Sequence, residues 1–314
     1  MSSRVGALNS IDMPPLHATA NSHGVDWTLD LDRGDLLPGR LATGRLRLVA
    51  QHDVAARGLI AALIATEHWQ HTETHTDGQG HTSTRTVTST DELLREPVQL
   101  LGPTTLRAGE SRDIPVSVPV PPLGPASLDA TVSGLSWDFE VKLDMAGGFD
   151  SAIVVPVRVL QPTALLRAGV VTVREFALYP AADAETDGAK ASVALDPMPL
   201  CVGGPFEGQL TIETDKPLNV HEVRLELRVH VKATVSSGLE EDITAWTGPL
   251  AGAGQFGGAS QAMSFKGDLP ARDLPTIELP HGRADGAFHV ILARAWARDP
   301  HLVRDVAVCS TTEL

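Results

Sequence analysis

Apolar and polar residues alternate along most of this chain. In the segment 135–145, LSWDFEVKLDM, the odd positions are apolar and the even positions are polar. The segments 221–233, HEVRLELRVHVKA, and 24–32, GVDWTLDLD, follow the same rule. Successive side chains of a β-strand point to opposite faces, so this pattern predicts strands with one buried and one solvated face.

Further short apolar segments indicate more strands, and no segment carries a helical stripe longer than two turns. These candidates are GRLRLVA, GLIAALIATEHW, RDIPVSVPV, AIVVPVRVL, VVTVREFAL, GQLTIET and FHVILARAWA. Turn signals such as Pro38-Gly39 and Gly147-Gly148 separate them. The segment 89–97, STDELLREP, is compatible with one short turn of helix that Pro97 closes. The predicted fold class is therefore all-β.

The order of strand candidates runs twice along the chain. Each half begins with a strand containing a Gly-x-Leu pattern, PGRLATGRLRL or GGPFEGQLTIET, and continues with a long apolar strand. We therefore predict two tandem antiparallel β-sandwich domains joined by a short hinge. The expected boundaries are a flexible N-terminal segment over 1–22, a first domain over 23–160, a linker over 161–169 and a second domain over 170–314.

Charge and composition narrow the classes of partner and location. The formal net charge is −14, with 12 basic and 19 acidic residues in 1–160 and 13 and 20 in 161–314. Acidic halves argue against binding to nucleic acid or to anionic membranes. No apolar run is long enough for a membrane span, and the N-terminal apolar stretch is too short for a signal peptide. Cys201 and Cys309 form no CxxC pair, so we expect two inert thiols and a cytoplasmic location.

The ordered glycine, proline and tryptophan positions resemble the arrestin family, in particular its bacterial members related to sporulation-control proteins. The segment DLLPGRLATGRLRL resembles an early family strand, and ARGLIAALIATEHW resembles the next, which ends near a tryptophan. LRAGESRDIPVSVPVPPLGPASL resembles a later family segment rich in proline. The resemblance covers about residues 23–308. The matching positions are Pro38, Gly39, Gly44, Leu46, Trp69, Gly109, Pro115, Pro121, Pro125 and Ser127.

This resemblance implies an immunoglobulin-like, two-domain scaffold or adaptor that binds protein partners and has no enzymatic activity. The sequence departs from phosphate-sensing arrestins on the first strand, where those proteins carry basic side chains. GVDWTLDLD presents Asp26, Asp30 and Asp32 on its polar face. Carboxylates repel phosphate, which argues against phosphopeptide binding there. The part TLDLD is also a candidate edge strand, either for pairing with a peptide or for guarding the sheet against aggregation.

Known catalytic motifs are missing from the sequence. No G-x-S-x-G, HExxH or P-loop pattern occurs. Gly252, Gly254 and Gly257 fit GxGxxG, but no helix pattern follows, so we interpret them as a loop. Asp32 and Asp35 lie close in sequence at a strand-to-turn junction, where solvated carboxylates are the expected reading. We predict no catalytic residues and no cofactor.

Four of the twelve histidines fall in the segment 67–90, EHWQHTETHTDGQGHTSTRTVTST. Its threonines favour strands, and TDGQG is a turn signal. The segment is thus predicted to be a β-hairpin that bends near residues 77–80. Trp69, His71, Glu73 and His75 then share one face of its first strand.

The register of this hairpin decides whether it can hold a metal ion. If His75 pairs with His81, both lie on one face, and His71, Glu73, His75 and His81 are candidate ligands for zinc or another divalent ion. If Thr76 pairs with His81, the two histidines lie on opposite faces. The alternative to a metal site is a solvated hairpin of variable length. We interpret the segment as this hairpin, with no metal assigned.

Three functional hypotheses follow. The first is a cytoplasmic, non-enzymatic adaptor that regulates a process such as sporulation or cell-envelope development by binding a protein partner. The second is a metal-binding protein or metal-dependent enzyme that uses the histidine-rich hairpin. The third is a structural protein that forms homo-oligomers through its sheet edges.

Overall fold

A computed structural model describes residues 14–162, 178–180, 189–196, 199–214, 216–256, 260–294 and 301–311. Strands dominate these residues and no helix occurs among them, which confirms the all-β prediction. The predicted linker from residue 163 onward and most of the strand predicted over 170–178 lie outside the described residues.

Ten strands lie between residues 14 and 162. They are β1 (Leu16–Ser22), β2 (Val25–Leu31), β3 (Asp35–Leu36), β4 (Leu41–Ala50), β5 (Val54–Thr76), β6 (Thr82–Leu101), β7 (Thr104–Leu106), β8 (Ser111–Pro119), β9 (Ser133–Met145) and β10 (Ser151–Val159). We refer to this part, residues 14–162, as the N-terminal half.

The described residues from 178 onward form thirteen further strands. They are β11 (Leu178–Pro180), β12 (Ala189–Asp196), β13 (Leu200–Cys201), β14 (Pro205–Thr214), β15 (Leu218–Val220), β16 (Glu222–Ala233), β17 (Glu240–Ala251), β18 (Gly254–Phe256), β19 (Gln261–Asp268), β20 (Ile277–Glu278), β21 (Gly282–Ala293), β22 (His301–Val306) and β23 (Val308–Cys309). We refer to them as the C-terminal half.

The two halves repeat one sheet order. In the N-terminal half the large sheet runs β3-β10-β9-β5-β6, and in the C-terminal half it runs β11-β22-β21-β16-β17. The opposing sheets run β1-β2-β4-β8 and β12-β14-β19. The long apolar strands β5 and β16 thus occupy equivalent positions, as the doubled sequence pattern indicates.

Buried apolar side chains fill the space between the paired sheets in each half. The alternating residues of β2, β4 and β8 meet those of β5, β9 and β10, and Trp27, Trp137 and Phe139 are the largest fully buried side chains of this first cluster. A second cluster around Phe206, Phe265 and Phe288 fills the C-terminal half. The first cluster also includes residues of the C-terminal half, such as Val229 and Ile277. Facing sheets over such a core are consistent with a β-sandwich, while the division into two domains stays a prediction.

The N-terminal boundary and the predicted edge strand differ from the structure. Residues 16–22, expected in a flexible segment, form β1, which pairs along its whole length with β2. The strand containing TLDLD therefore lies between β1 and β4 and is not an edge. The prediction of an edge there was wrong because the alternation in LHATANS is too weakly apolar to mark a strand.

The segment predicted as a turn of helix, 89–97, is part of β6. Pairing with β5 continues through it, from Trp69 opposite Ser89 to Ala62 opposite Pro97. Bulges occur between Glu92 and Leu94 and between Gln99 and Leu101. The ladder to a long partner strand outweighs the local preference of a short polar segment.

The cysteines were also predicted incorrectly. Cys201 in β13 and Cys309 in β23 form a disulfide, with their Cα atoms 4.8 Å apart and a sequence separation of 108. The short parallel pairing of β13 with β23 brings them together. The cysteine content therefore no longer argues for a reducing compartment, and the cytoplasmic location stays a prediction.

Among the described residues, none belongs to a helix long and apolar enough to cross a lipid bilayer.

Candidate functional site

The histidine-rich segment forms a hairpin, but in a third register. Thr76 lies opposite Thr82, and Asp77–His81 form the loop. Asp77 closes this loop, because its amide donates to the carbonyl of His81 at 2.9 Å and its Oδ1 accepts from the amides of Gln79 and His81. These hydrogen bonds hold the pKa of the Asp77 carboxyl below its ordinary value. Both predicted registers were wrong, because the loop that Asp77 caps includes His81, and Thr82 is the first residue after it to pair with β5.

The four candidate metal ligands do not converge. His71 Nε2 lies 3.6 Å from Glu73 Oε1, and Glu73 Oε2 accepts a hydrogen bond from Arg85 at 2.9 Å. His75 lies opposite Ser83, and the exposed His81 contacts Asp77. No group of three or more His, Cys, Asp or Glu side chains suited to a metal ion occurs in the part of the chain that the structure describes.

The first odd-numbered residues of this hairpin, Glu67 and Trp69, instead contact the C-terminal half. Glu67 is completely buried, and its two oxygens accept from the backbone amide and Nδ1 of His281, both at 2.9 Å. The Trp69 indole stacks on the His281 ring, with centroids 3.9 Å apart and planes 16° apart. Gly282 follows at a point where a Cβ would meet the Ser133 hydroxyl at 1.9 Å, so only glycine fits there. We call Glu67, Trp69 and His281 the histidine clasp.

Backbone hydrogen bonds extend this contact along β5. Ser133, the first residue of β9, lies opposite Trp69, and beyond this point the loop between β16 and β17 lies beside β5. The amide of Thr72 donates to Ser237 O at 3.0 Å, and the amide of Leu239 donates to Gln70 O at 3.2 Å. The hairpin of one half is thus hydrogen-bonded to a loop of the other, and the stretch that resembled a metal site is a structural contact.

A second polar contact between the halves centres on Arg158. Its guanidinium donates to both carboxylate oxygens of Asp273, at 2.7 and 2.5 Å, and to Asp35 at 3.1 and 3.3 Å. Asp273 belongs to the C-terminal half, whereas Asp35 pairs with Arg158 within β3 and β10. Burial raises the pKa of Asp35 above its ordinary value, with Arg158 opposing and Asp273 adding to this shift.

Asp35 also lines an open depression at the same end of the N-terminal half. The depression has a volume of about 730 Å³ and is formed by the β2–β3–β4 connections, within residues 32–43. Asp32 accepts from the Thr43 hydroxyl rather than facing Asp35 as an acid–base partner. The two aspartates considered for catalysis are therefore each engaged elsewhere.

Beside this depression, two loops form an exposed apolar surface. The amide of Gly39 donates to Val120 O at 3.0 Å, and the amide of Val120 donates to Arg40 O at 2.8 Å, which ties the two loops together. Leu41 is 60% exposed and Leu123 is 71% exposed. We call this surface the apolar tip; it comprises Leu37, Leu41, Pro121, Pro122 and Leu123.

The aspartates of β2 are paired locally. Asp26 accepts from Asn21, Asp30 contacts His17 Nδ1 at 2.6 Å, and Arg45 of β4 lies opposite Asp30. The segment that fits GxGxxG was predicted to be a loop. Part of it is a strand, because Gly254 belongs to β18, which pairs with β15, and Gly257 lies outside the described residues.

Sequence reasoning missed the groups that join the halves. Glu67 and His281 are 214 residues apart, and Arg158 and Asp273 are 115 apart. The one available signal was Glu67 itself, a charged residue at the end of the long apolar run GLIAALIATE, where burial requires a partner.

No protein-family model matches this chain, and comparison with curated proteins found no match. The class that the described residues define is thus an all-β protein with sandwich-like sheets. Its relation to arrestins stays a prediction.

Proposed function

We propose that this chain is a non-enzymatic, arrestin-like adaptor that binds a protein partner in a regulatory process such as sporulation or cell-envelope development. The observation that supports it is the apolar tip. Leu41 and Leu123 are among the few large apolar side chains that are mostly exposed in the described residues. Leu41 begins β4 and Leu123 lies in a loop, and exposed apolar side chains grouped at such a strand end are typical of protein-binding surfaces.

The arrangement of titratable groups agrees with a binding role. Asp32 is engaged with Thr43, Asp35 with Arg158, and Glu67 with His281. Each of these three carboxylates thus has a structural partner. These interactions fix the loops relative to one another, which is what a rigid docking surface requires.

Proximity labelling in the cells that make the protein tests this proposal. The full chain, fused to a labelling enzyme, is compared with the double variant Leu41→Asp/Leu123→Asp. We expect the double variant to lose the partner labelling, because two carboxylates would be desolvated on docking, at a cost of about 2 kcal/mol or more each.

The matched control is Val154→Asp, which changes an apolar side chain that is 52% exposed on β10. This variant should label the same proteins as the wild type. Equal unfolding midpoints of the three purified proteins establish that the fold is intact. Identical labelling by all three would contradict docking at the apolar tip.

A further inference from the structure

The strand β6 is the edge strand of its sheet, and its outer edge has no partner strand among the residues that the structure describes. The strand is 20 residues long. A long edge of this kind is a template for pairing with another strand, so proteins usually guard it with charges, proline or bulges.

The features that protect the β6 edge from pairing lie in one part of the strand only. From residue 91 onward the strand contains Pro97, two bulges and the charged residues Asp91, Glu92, Arg95 and Glu96. Residues 82–90, TSTRTVTST, contain no proline and no bulge. Their single charge, Arg85, is paired with Glu73 across the hairpin. The outer edge over 82–90 is thus long, regular and unguarded.

The backbone groups of the threonines in this segment point to that edge. Gln70 and Thr72 donate their amides away from β6, to Val132 O and Ser237 O. Thr88 and Thr86 lie directly opposite them. Such residues form a non-hydrogen-bonded pair of the antiparallel ladder, in which the backbone N–H and C=O groups of both residues point away from the partner strand. The even-numbered positions of β6 therefore direct their backbone donors and acceptors to the outer edge.

The sequence of this edge is almost palindromic. Read from either end, TSTRTVTST is the same about Thr86 except that Arg85 and Val87 exchange. Two antiparallel copies centred on Thr86 would set Thr82 against Thr90 and Thr84 against Thr88. An interface with two-fold symmetry must be self-complementary in this way.

We propose that two copies of this chain pair antiparallel through residues 82–90 of β6, about a two-fold axis at Thr86, and form one continuous sheet across a closed dimer. The threonine pairs would repeat those already present inside the hairpin, where the hydroxyls of Thr74 and Thr84 lie 3.4 Å apart and those of Thr76 and Thr82 lie 3.2 Å apart. Arg85 would face Val87 of the second copy, so no like charges lie directly opposite.

This pairing goes beyond adaptor function and does not depend on it, because the apolar tip and the β6 edge use different residues. In a dimer with two-fold symmetry, the unguarded edge of each copy is paired with that of the other, so no such edge stays exposed. The resulting assembly is therefore a dimer rather than a fibre.

Sedimentation velocity over micromolar to millimolar concentrations tests the dimer. The chain mass is 33.2 kDa. We expect a concentration-dependent species of twice this mass for the wild type. A wild type that stays at the mass of one chain throughout would overturn the proposal.

A charge exchange at Thr86 tests the register. Thr86 faces itself across the axis, so Thr86→Lys alone and Thr86→Glu alone should each be monomeric through repulsion of like charges. An equimolar mixture should restore a dimer, because lysine then faces glutamate. Thr74→Lys, on the same face of the hairpin but on the inner strand, is the matched control and should dimerise as the wild type does.

Unchanged unfolding midpoints would show that the exposed substitutions leave the fold intact. Persistence of the dimer in Thr86→Lys, or a mixture that stays monomeric, would overturn pairing about Thr86.

Discussion

At the residue scale, His281 holds the histidine-rich hairpin in contact with the C-terminal half. Its ring lies on Trp69 and donates to a carboxylate with no exposed surface. A carboxylate removed from water needs such donors, because an unpaired buried charge is strongly destabilising. The clasp therefore ties burial of Glu67 to contact between the halves.

Removing the His281 side chain should lower the free energy of unfolding by about 3 kcal/mol, since it leaves Glu67 buried with one fewer donor. His281→Asn should lose about half as much, because its amide can replace the Nδ1 donor while the stacking on Trp69 is lost. Urea denaturation followed by tryptophan fluorescence measures both. His81→Ala, at a side chain that is 77% exposed, should change little. Equal losses in all three variants would contradict the clasp.

Glu226 provides a pH-dependent contribution to stability. Burial alone would raise its pKa, but hydrogen bonds from Arg228 and Arg224, at 2.6–2.8 Å, outweigh burial and hold the pKa below its ordinary value. A carboxyl with a lowered folded-state pKa stabilises the protein above its unfolded pKa, about 4.3, and loses this contribution as the pH falls through the folded value.

Glu226→Gln should therefore cost about 1–3 kcal/mol at neutral pH, and this difference from the wild type should shrink as the pH falls below about 4. Urea unfolding of both proteins at a series of pH values measures the difference. A difference that is constant across the series would contradict the ionised pair.

At the scale of elements, the hairpin 67–90 is a structural and exposed element rather than a metal centre. His71 and Glu73 contact each other, whereas His75 and His81 have separate neighbours. We expect His75→Ala/His81→Ala to change the free energy of unfolding by no more than about 0.5 kcal/mol. Zinc should raise the melting temperature of neither this variant nor the untagged wild type. A stoichiometric zinc content in the wild type, lost in the variant, would contradict this assignment.

The disulfide joins the last described strand to β13 across a long stretch of chain. Because the cysteines have a sequence separation of 108, the bond restricts the unfolded ensemble substantially. Cys201→Ser/Cys309→Ser should lower the free energy of unfolding by about 2–5 kcal/mol. Calorimetry with and without reductant measures this loss. Reductant should lower the wild-type melting temperature and leave that of the variant unchanged; no effect on the wild type would contradict a structural disulfide.

The alternation of apolar and polar residues predicted the strands that have one clearly apolar face. The strands β2, β9 and β16 follow directly from their period of two. It failed for β6 between residues 89 and 97, because that strand is specified by its long ladder to β5 rather than by its own residues. It failed for β1 because half-polar edge strands have no clear apolar face.

At the scale of the whole molecule, the contacts between the halves could not be predicted, since they join residues far apart in sequence. Spacing carries no information about Arg158 and Asp273, or about Cys201 and Cys309. The repetition of strands along the chain was predictable because each half repeats the same local patterns, whereas their order within each sheet was not predicted. The apolar tip was visible in sequence only as PVPPLGP, and its exposure depends on how two loops meet.

The adaptor proposal predicts that the apolar tip touches a protein partner directly. A photo-crosslinking amino acid placed at position 123 in the full chain, in the cells that make it, tests this contact. We expect one or a few specific crosslinked proteins from position 123 and none of them from position 154 on β10. Crosslinks that are absent at 123, or identical at both positions, would contradict the proposal.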